Sequence, residues 1–131
     1  MGKVGFRRDR GEVLEELGLV LREAEDNVDM VLVEGTRDAE ALKRLGYRGQ
    51  IEVISRCETH ADIVEEVAER GRRVLILSDF DREGRRINRE MLLLLESRGV
   101  RVECEMRRRI GRLMAILGTR AVEDLDNLAG I

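Results

Sequence analysis

Residues 74–84 read VLILSDFDREG, in which four apolar residues precede two aspartates that are separated by one residue. The apolar run predicts a short strand buried on both faces of a sheet. In extended backbone, residues two apart project to the same side, so we expect Asp79 and Asp81 to point together. Because like charges held close cost free energy, something must compensate this pair.

Apolar runs alternate with helical patterns along the whole chain. Thr59 and Asp62 form a capping-box pattern that opens a helix ended by Gly71, and Gly46 ends the helix before it. Strands are predicted at 30–33, 51–54, 74–77 and 100–103, helices at 12–27, 37–45, 60–70 and 83–97, and two short helices after Met106. The alternation predicts an α/β domain over residues 1–131, with a four-stranded, mainly parallel sheet, helices on both faces, and extra helices at both ends.

Composition limits the classes of function. The chain has 131 residues, 43% hydrophobic and 39% charged, with a net charge of −3, which is typical of one globular domain. We expect no contact with membranes and a cytoplasmic location, because no apolar run approaches the roughly 20 residues that span a bilayer and residues 1–11 contain no signal core. Cys57, Cys104 and His60 are too few for a structural zinc site.

Acidic residues follow two of the predicted strands, at the edge where ligands bind to parallel sheets. Glu34 ends the first strand, and Asp79, Asp81 and Glu83 follow the third. Mg²⁺, or Mn²⁺ in its place, would neutralise such a cluster, since these cations prefer oxygen ligands. The alternative is that the aspartates form an exposed turn and that Asp81 only caps the following helix.

Glycines and arginines beside these acids suggest a phosphate-containing ligand. Gly35 and Gly84 leave room for backbone or phosphate to approach closely. Guanidinium groups suit phosphate, and Arg56, Arg82 and Arg85 stand next to the acids in sequence. Asp38 also follows the first strand. The candidate nucleic-acid-binding residues are Gly35, Asp38, Arg56, Arg82, Gly84 and Arg85.

Two motifs together resemble the Toprim domain of type IA and type II topoisomerases, bacterial-type primases and the ribonuclease that matures 5S ribosomal RNA. They are VLVEGTRDAEALKRLG at 31–46 and VLILSDFDREGRRI at 74–87, within a similar region of about 28–105. The acidic triplet is closest to the type IA topoisomerase form, although Phe80 stands where the family often has Pro or Thr. The resemblance implies a Rossmann-like Toprim fold in a small stand-alone Toprim protein.

The resemblance also implies roles for individual residues. Glu34 would be a general acid or base or a metal ligand, Asp79 and Asp81 would hold Mg²⁺, and Glu83 would be a weaker third partner. The one tyrosine, Tyr47, does not suit a strand-passage topoisomerase. We therefore expect a small Mg²⁺-dependent nuclease or RNA-processing enzyme acting on RNA or DNA. The alternative is a non-catalytic metal- and nucleic-acid-binding module in a larger complex, and a homodimer is a further expectation.

Several segments keep two interpretations. The basic segment at 107–113, RRRIGRL, would either follow a phosphate backbone or form a solvated helix face paired with neighbouring acids. His60 would either move protons or only begin a helix. The leucines at 92–95 would belong to the core or to a dimer surface, and Phe6, Arg7 and Arg8 would form a frayed arm or a phosphate contact. A phosphoacceptor receiver domain competes at the level of fold, but it would require a lysine after a fifth strand.

Overall fold

The computed structural model describes residues 9–130, so Phe6, Arg7 and Arg8 lie outside the described residues. The elements are α1 (Arg10–Asn27), β1 (Met30–Val33), α2 (Thr36–Arg44), β2 (Ile51–Val53), α3 (His60–Arg70), β3 (Arg73–Leu77), α4 (Arg82–Ser97), β4 (Arg101–Val102), α5 (Cys104–Ile116) and α6 (Leu125–Leu128). Short 3₁₀ turns occupy Ile54–Arg56 and Val122–Asp124.

The four strands form one parallel sheet in the order β2-β1-β3-β4, which confirms the predicted α/β architecture. The register pairs Val33 of β1 with Leu77 of β3. Both central strands therefore end at the same level, and the residues that follow them, Glu34 and Ser78, leave the sheet side by side. This pairing brings the two predicted motifs together.

Alternation along the central strands divides the core into two layers. Val31, Val33, Leu75 and Leu77 face α1, α2 and α5, while Met30, Leu32, Val74 and Ile76 face α3 and α4. All eight side chains are at most 2% exposed. The apolar runs are continuous in sequence because both faces of the sheet are covered by helices.

Local capping explains where the helices begin and end. The Thr59 hydroxyl accepts a hydrogen bond from the Asp62 N–H at 3.1 Å, as the sequence predicts for the start of α3. Asp9 caps α1 in the same way, accepting from the Gly11 N–H at 3.0 Å, so this helix begins two residues before the predicted position. Gly46, with φ 99°, follows α2 in a conformation that favours glycine.

The edges of the sheet and the C-terminal segment differ from the sequence-based expectation. Strand β2 ends one residue early because Ile54 begins a 3₁₀ turn, and β4 is only two residues long. After β4, α5 is a single helix of 13 residues, longer than predicted. Its buried residues Ile110, Leu113 and Met114 share a core layer with α1, and this packing lengthens the helix. Within residues 9–130, no helix has the length and apolar character needed to cross a membrane.

Candidate metal and nucleic-acid site

A hydrogen bond joins the two motifs at the carboxyl edge of the sheet. Glu34 follows β1, and its Oε2 accepts a bond from the backbone N–H of Asp79, which follows β3, at 2.7 Å. This contact follows from the parallel pairing of β1 with β3, since both strands end at the same level. Glu34 therefore points toward the aspartates.

Each of the three central acids uses one oxygen on a backbone N–H. Asp79 Oδ1 accepts from the Val122 N–H at 3.0 Å, and Asp81 Oδ1 accepts from the Gly84 N–H at 2.7 Å as the N-cap of α4. Among the described residues, the second carboxylate oxygen of Glu34, Asp79 and Asp81 forms no hydrogen bond. Asp81 therefore caps the helix and still presents a free oxygen to a ligand.

Glu34 and Asp79 lie at this edge partly away from water, within reach of each other's charge. Burial raises the pKa of Glu34, and the charges of Asp79, Asp38 and Asp81 raise it further, against the lowering effect of its hydrogen bond. Burial also raises the pKa of Asp79, where the Val122 N–H opposes the shift and neighbouring acids, including Glu123, add to it. The folded protein thus resists complete ionisation of this cluster, which is the condition that a bound cation would relieve.

The donor set fits a hard cation. Across residues 9–130, no group of three or more His, Cys, Asp or Glu side chains is gathered closely enough to hold a metal alone. Mg²⁺ keeps several of its waters and uses one or two carboxylates together with a substrate phosphate, so free oxygens on Glu34, Asp79 and Asp81 suit it. The thiol of Cys57 contacts Glu66 and the imidazole of His60 contacts Glu90, so neither is directed at these carboxylates.

The fourth predicted acid has a different partner. Glu83 lies in the first turn of α4, and its Oε2 accepts a hydrogen bond from Arg86 Nη2 at 2.6 Å. This side chain is exposed, and the hydrogen bond from Arg86 lowers its pKa. Glu83 is therefore engaged by a neighbouring cation, in contrast to Asp79, whose pKa is raised.

The two glycines of the predicted site serve the backbone around the acids. The Gly35 N–H donates to Asp38 Oδ2 at 2.9 Å, which fixes the turn into α2. Gly84 is buried beneath the Asp79 backbone, and a Cβ added there would lie 2.0 Å from the Asp79 carbonyl oxygen. The close approach expected at Gly84 is therefore made by the protein's own backbone.

The predicted arginines fall into two groups. Arg82 and Arg85 are exposed in the first turns of α4, beside the acids. Arg56 lies after the edge strand β2, where its guanidinium is 2.9 Å from Glu52 and 3.0 Å from Glu66. The structure therefore brings Arg82 and Arg85 to the acidic edge, whereas Arg56 is paired with acids of α3 and β2.

Arg107, in the first half of α5, is a site residue that sequence reasoning did not single out. It is only 8% exposed and donates to the carbonyl oxygens of Ile76, Ser78 and Asp79 at 3.1, 2.8 and 3.2 Å. Its guanidinium also stacks on the Phe80 ring, 4.2 Å from the centroid. Burial lowers the pKa of Arg107 to about 10, against the opposing charges of Glu34 and Asp79. Arg107 therefore holds the backbone of the turn at residues 78–81, which we call the acidic turn.

Residues 120–122, before α6, also bond to the acidic turn. The Phe80 N–H donates to the Arg120 carbonyl at 2.8 Å, one residue from the bond between Val122 and Asp79. The basic pattern RRRIGRL, at 107–113, lies in α5, before this segment. Its exposed members pair with an acid, as the solvated-face interpretation requires: Arg108 and Arg112 lie 2.8 and 3.8 Å from Glu105. The half-buried Arg109 lies 2.8 Å from Glu23.

Tyr47 and Leu93 lie in contrasting environments. Tyr47 is 5% exposed in the layer beside α2, and burial raises its pKa to about 12, which does not suit a nucleophile. Among residues 9–130 its hydroxyl finds no hydrogen-bond partner. In the leucine run of α4, Leu95 is fully buried, but Leu93 is 69% exposed.

Comparisons with known proteins identify the family of this chain. The Toprim domain profile matches residues 29–106. A UPF0292 protein of Methanocaldococcus jannaschii is 32% identical over 117 residues, which cover 89% of this chain and 84% of that protein. A UPF0292 protein of Thermococcus gammatolerans is 40% identical over 98 residues, covering 75% and 71%. A solved structure of a protein from Aquifex aeolicus matches with TM-score 0.65 and 29% identity over 89% of this chain and 98% of that one. The chain therefore belongs to the Toprim domain family and, within it, to the UPF0292 proteins.

Proposed function

We propose that this protein is a Mg²⁺-dependent phosphoryl-transfer enzyme that acts on nucleic-acid phosphodiesters, as a small nuclease or RNA-processing enzyme; Mn²⁺ would also serve. The observation that carries the proposal is the bond between Glu34 Oε2 and the Asp79 N–H, 2.7 Å, which unites the ends of β1 and β3. Glu34, Asp79 and Asp81 follow these strands, and each has one carboxylate oxygen that forms no hydrogen bond among the described residues. Membership of the Toprim family supports the metal-binding and nucleic-acid-related character.

Each side chain has a defined part in this proposal. Asp79 and Asp81 would hold the cation, and the hydrogen bonds that each accepts from a backbone N–H fix the carboxylate orientation. When bound, Mg²⁺ would supply Lewis-acid polarisation of a phosphodiester and activation of water. Glu34 takes up or releases a proton. Its raised pKa favours this role, because an acid–base group works best when its pKa lies closer to the working pH. Arg82 and Arg85 would bind the substrate phosphates.

A second candidate is a binding module that holds metal and nucleic acid without cleaving them, inside a larger complex or as a homodimer. One observation favours it. Among residues 9–130, no three candidate ligands are gathered closely enough to complete a metal centre. A partner or the nucleic acid itself would then have to complete the coordination of the cation.

A cleavage assay on labelled RNA and DNA in Mg²⁺ or Mn²⁺ separates the two candidates. Asp81→Asn keeps an N-cap acceptor for α4 but removes a charged ligand, so we expect cleavage to fall at least about a hundredfold. Asp9→Asn makes the same change at the N-cap of α1 and serves as the control. Metal-dependent binding without turnover in the wild type would favour the module, and equal cleavage by Asp81→Asn and wild type would overturn the enzyme proposal.

A further inference from the structure

A groove runs beside the acidic site, between α4, β4 and α5. Its volume is about 580 Å³, within the roughly 300–1,000 Å³ typical of ligand sites. The apolar residues of its lining, which we call the floor, are Ile76, Phe80, Leu92 and Val102, and Ala115 lies on the helix wall. The helix wall comes close to the floor at Gly111, where a Cβ would lie 2.6 Å from the Phe80 ring. The groove therefore offers apolar surface next to the turn that carries Asp79 and Asp81.

The rim of this groove is strongly basic, although the whole chain has a net charge of −3. The one carboxylate in the lining belongs to Glu103, which is 3.3 Å from Arg73 and thus already paired. The lining includes five arginines, Arg85, Arg107, Arg108, Arg112 and Arg120. This distribution of charge is complementary to a polyanion.

Two of these arginines are available to a ligand. Arg107 is bound to backbone carbonyls, while Arg108 and Arg112 lie 2.8 and 3.8 Å from Glu105. Within residues 9–130, Arg85 and Arg120 have no ion-pair partner, and both are exposed. The positive charge of Arg85 also acts on Arg107 and adds to the lowering of its pKa. An anion bound between these guanidinium groups would relieve that repulsion.

The two free arginines are attached to the acidic turn through the backbone. The Arg85 N–H donates to the Asp81 carbonyl at 2.9 Å, and the Arg120 carbonyl accepts from the Phe80 N–H at 2.8 Å. A chain of phosphates that contacts Arg85 and Arg120 would therefore lead directly to the candidate metal site. Continuity between the basic groove and the acidic site suits one long substrate.

We propose that this groove binds single-stranded nucleic acid, with backbone phosphates on Arg85 and Arg120 and an unstacked base against the apolar floor. A single strand is required because a duplex keeps its bases inside and presents no apolar face to the floor. The inference rests on the proposed function and names its substrate class. Four of the five groove arginines, Arg107, Arg108, Arg112 and Arg120, lie beyond residue 106, where the Toprim match ends, whereas Arg85 and the apolar floor lie within the match.

Fluorescence anisotropy with single-stranded RNA and DNA probes of about 12 nucleotides tests the groove without catalysis, in EDTA at several salt concentrations. The double variant Arg85→Gln/Arg120→Gln should bind at least about tenfold more weakly. The slope of log K against log[salt] should also become less steep by roughly 1.4, since each phosphate contact on a single strand contributes about 0.7. Arg48→Gln/Arg98→Gln makes the same charge change at exposed arginines outside the groove lining and should match the wild type.

A third variant tests the groove without removing an arginine. Ala115 is exposed on α5 at the groove wall, so Ala115→Glu adds a carboxylate at little structural cost and should also weaken binding. A duplex of the same sequence should bind more weakly than either single strand. Equal binding by the wild type and the arginine double variant, or a preference for the duplex, overturns the inference.

The outcomes also separate this inference from the proposed function. If the wild type and the double variant cleave equally well at low substrate concentration, the inference of strand binding in the groove is wrong and the enzyme proposal is supported. If binding in EDTA depends on the groove arginines but no protein cleaves in Mg²⁺, strand binding in the groove is supported and the enzyme proposal is wrong.

Discussion

Asp79 lies in surroundings that disfavour the ionised form of its carboxyl group. Burial and the neighbouring acids raise its pKa, so the folded state binds its proton more tightly than the unfolded state. The resulting penalty is absent below the unfolded pKa near 4. It grows as the pH rises through the folded pKa and is complete above it. Asp79 therefore costs stability at neutral pH, as expected of a residue kept for function rather than for stability.

Asp79→Asn should stabilise the metal-free protein while abolishing activity. Asparagine keeps an acceptor oxygen for the Val122 N–H and removes the charge, so we expect about 1 kcal/mol of added stability, or a Tm higher by roughly 3–5 °C at pH 7 in EDTA. The gain should shrink toward pH 4. Calorimetry at several pH values measures it.

Asp29 provides a control with the opposite sign. Its Oδ2 accepts from the Arg72 and Arg73 N–H groups at 2.7 and 3.0 Å, and these bonds lower its pKa. Its contribution is therefore present above the unfolded pKa and is lost as the pH falls through the folded pKa. Asp29→Asn should destabilise the protein at neutral pH. If Asp79→Asn behaves like Asp29→Asn in EDTA, the acid cluster is not electrostatically strained.

At the scale of elements, the start of α4 is built tightly onto the end of β3. The Ser78 hydroxyl donates to the Gly84 carbonyl at 2.6 Å, and Asp81 accepts from the Gly84 N–H. A methyl group on Gly84 would meet the Asp79 backbone, which cannot move aside as a flexible side chain would. The helix and the turn that carries Asp79 and Asp81 therefore form one unit.

Gly84→Ala should push the Asp79 backbone away from Glu34 and cost about 1–3 kcal/mol through overpacking. Affinity for Mg²⁺ should fall in parallel. Gly18→Ala is the matched control, because Gly18 lies within α1 with no atom within 4 Å of the added Cβ. That change should stabilise the protein by about 0.5–1 kcal/mol. Urea unfolding of both variants measures the contrast, and equal stability of Gly84→Ala and wild type would contradict it.

The same elements explain how far the sequence could be read. The core strands, most helix positions and the meeting of Glu34 with the Asp79 turn follow from local patterns and from the rule that parallel strands share a carboxyl edge. Arg107 and the Val122 N–H could not be predicted. Both reach the site through the packing of α5 and the C-terminal segment, and no local period records such tertiary contacts. Arg56 stands beside the acids in sequence but pairs with Glu52 and Glu66, because its strand lies at the edge of the sheet.

At the scale of the whole molecule, segments far apart in sequence meet at one edge. Glu34 follows β1 and Asp79 follows β3. Arg107 of α5 holds the backbone of the acidic turn, and the N–H of Val122, before α6, orients the Asp79 side chain. Since these contacts exist only in the folded chain, a cation that needs them binds the native state and not the unfolded state. Metal binding must therefore appear as global stability.

We expect Mg²⁺ to raise the unfolding free energy of the wild type by RT ln(1 + [Mg²⁺]/Kd), about 2.7 kcal/mol at a hundred times Kd. Mn²⁺ should act similarly, and Na⁺ at equal ionic strength should not. Asp81→Asn removes a ligand and should flatten this dependence, whereas Asp9→Asn should retain it, because both variants keep their helix caps. Thermal unfolding across a Mg²⁺ titration measures all three proteins. A wild type whose Tm is independent of Mg²⁺, or a response that Asp81→Asn retains in full, would show that no cation links these segments.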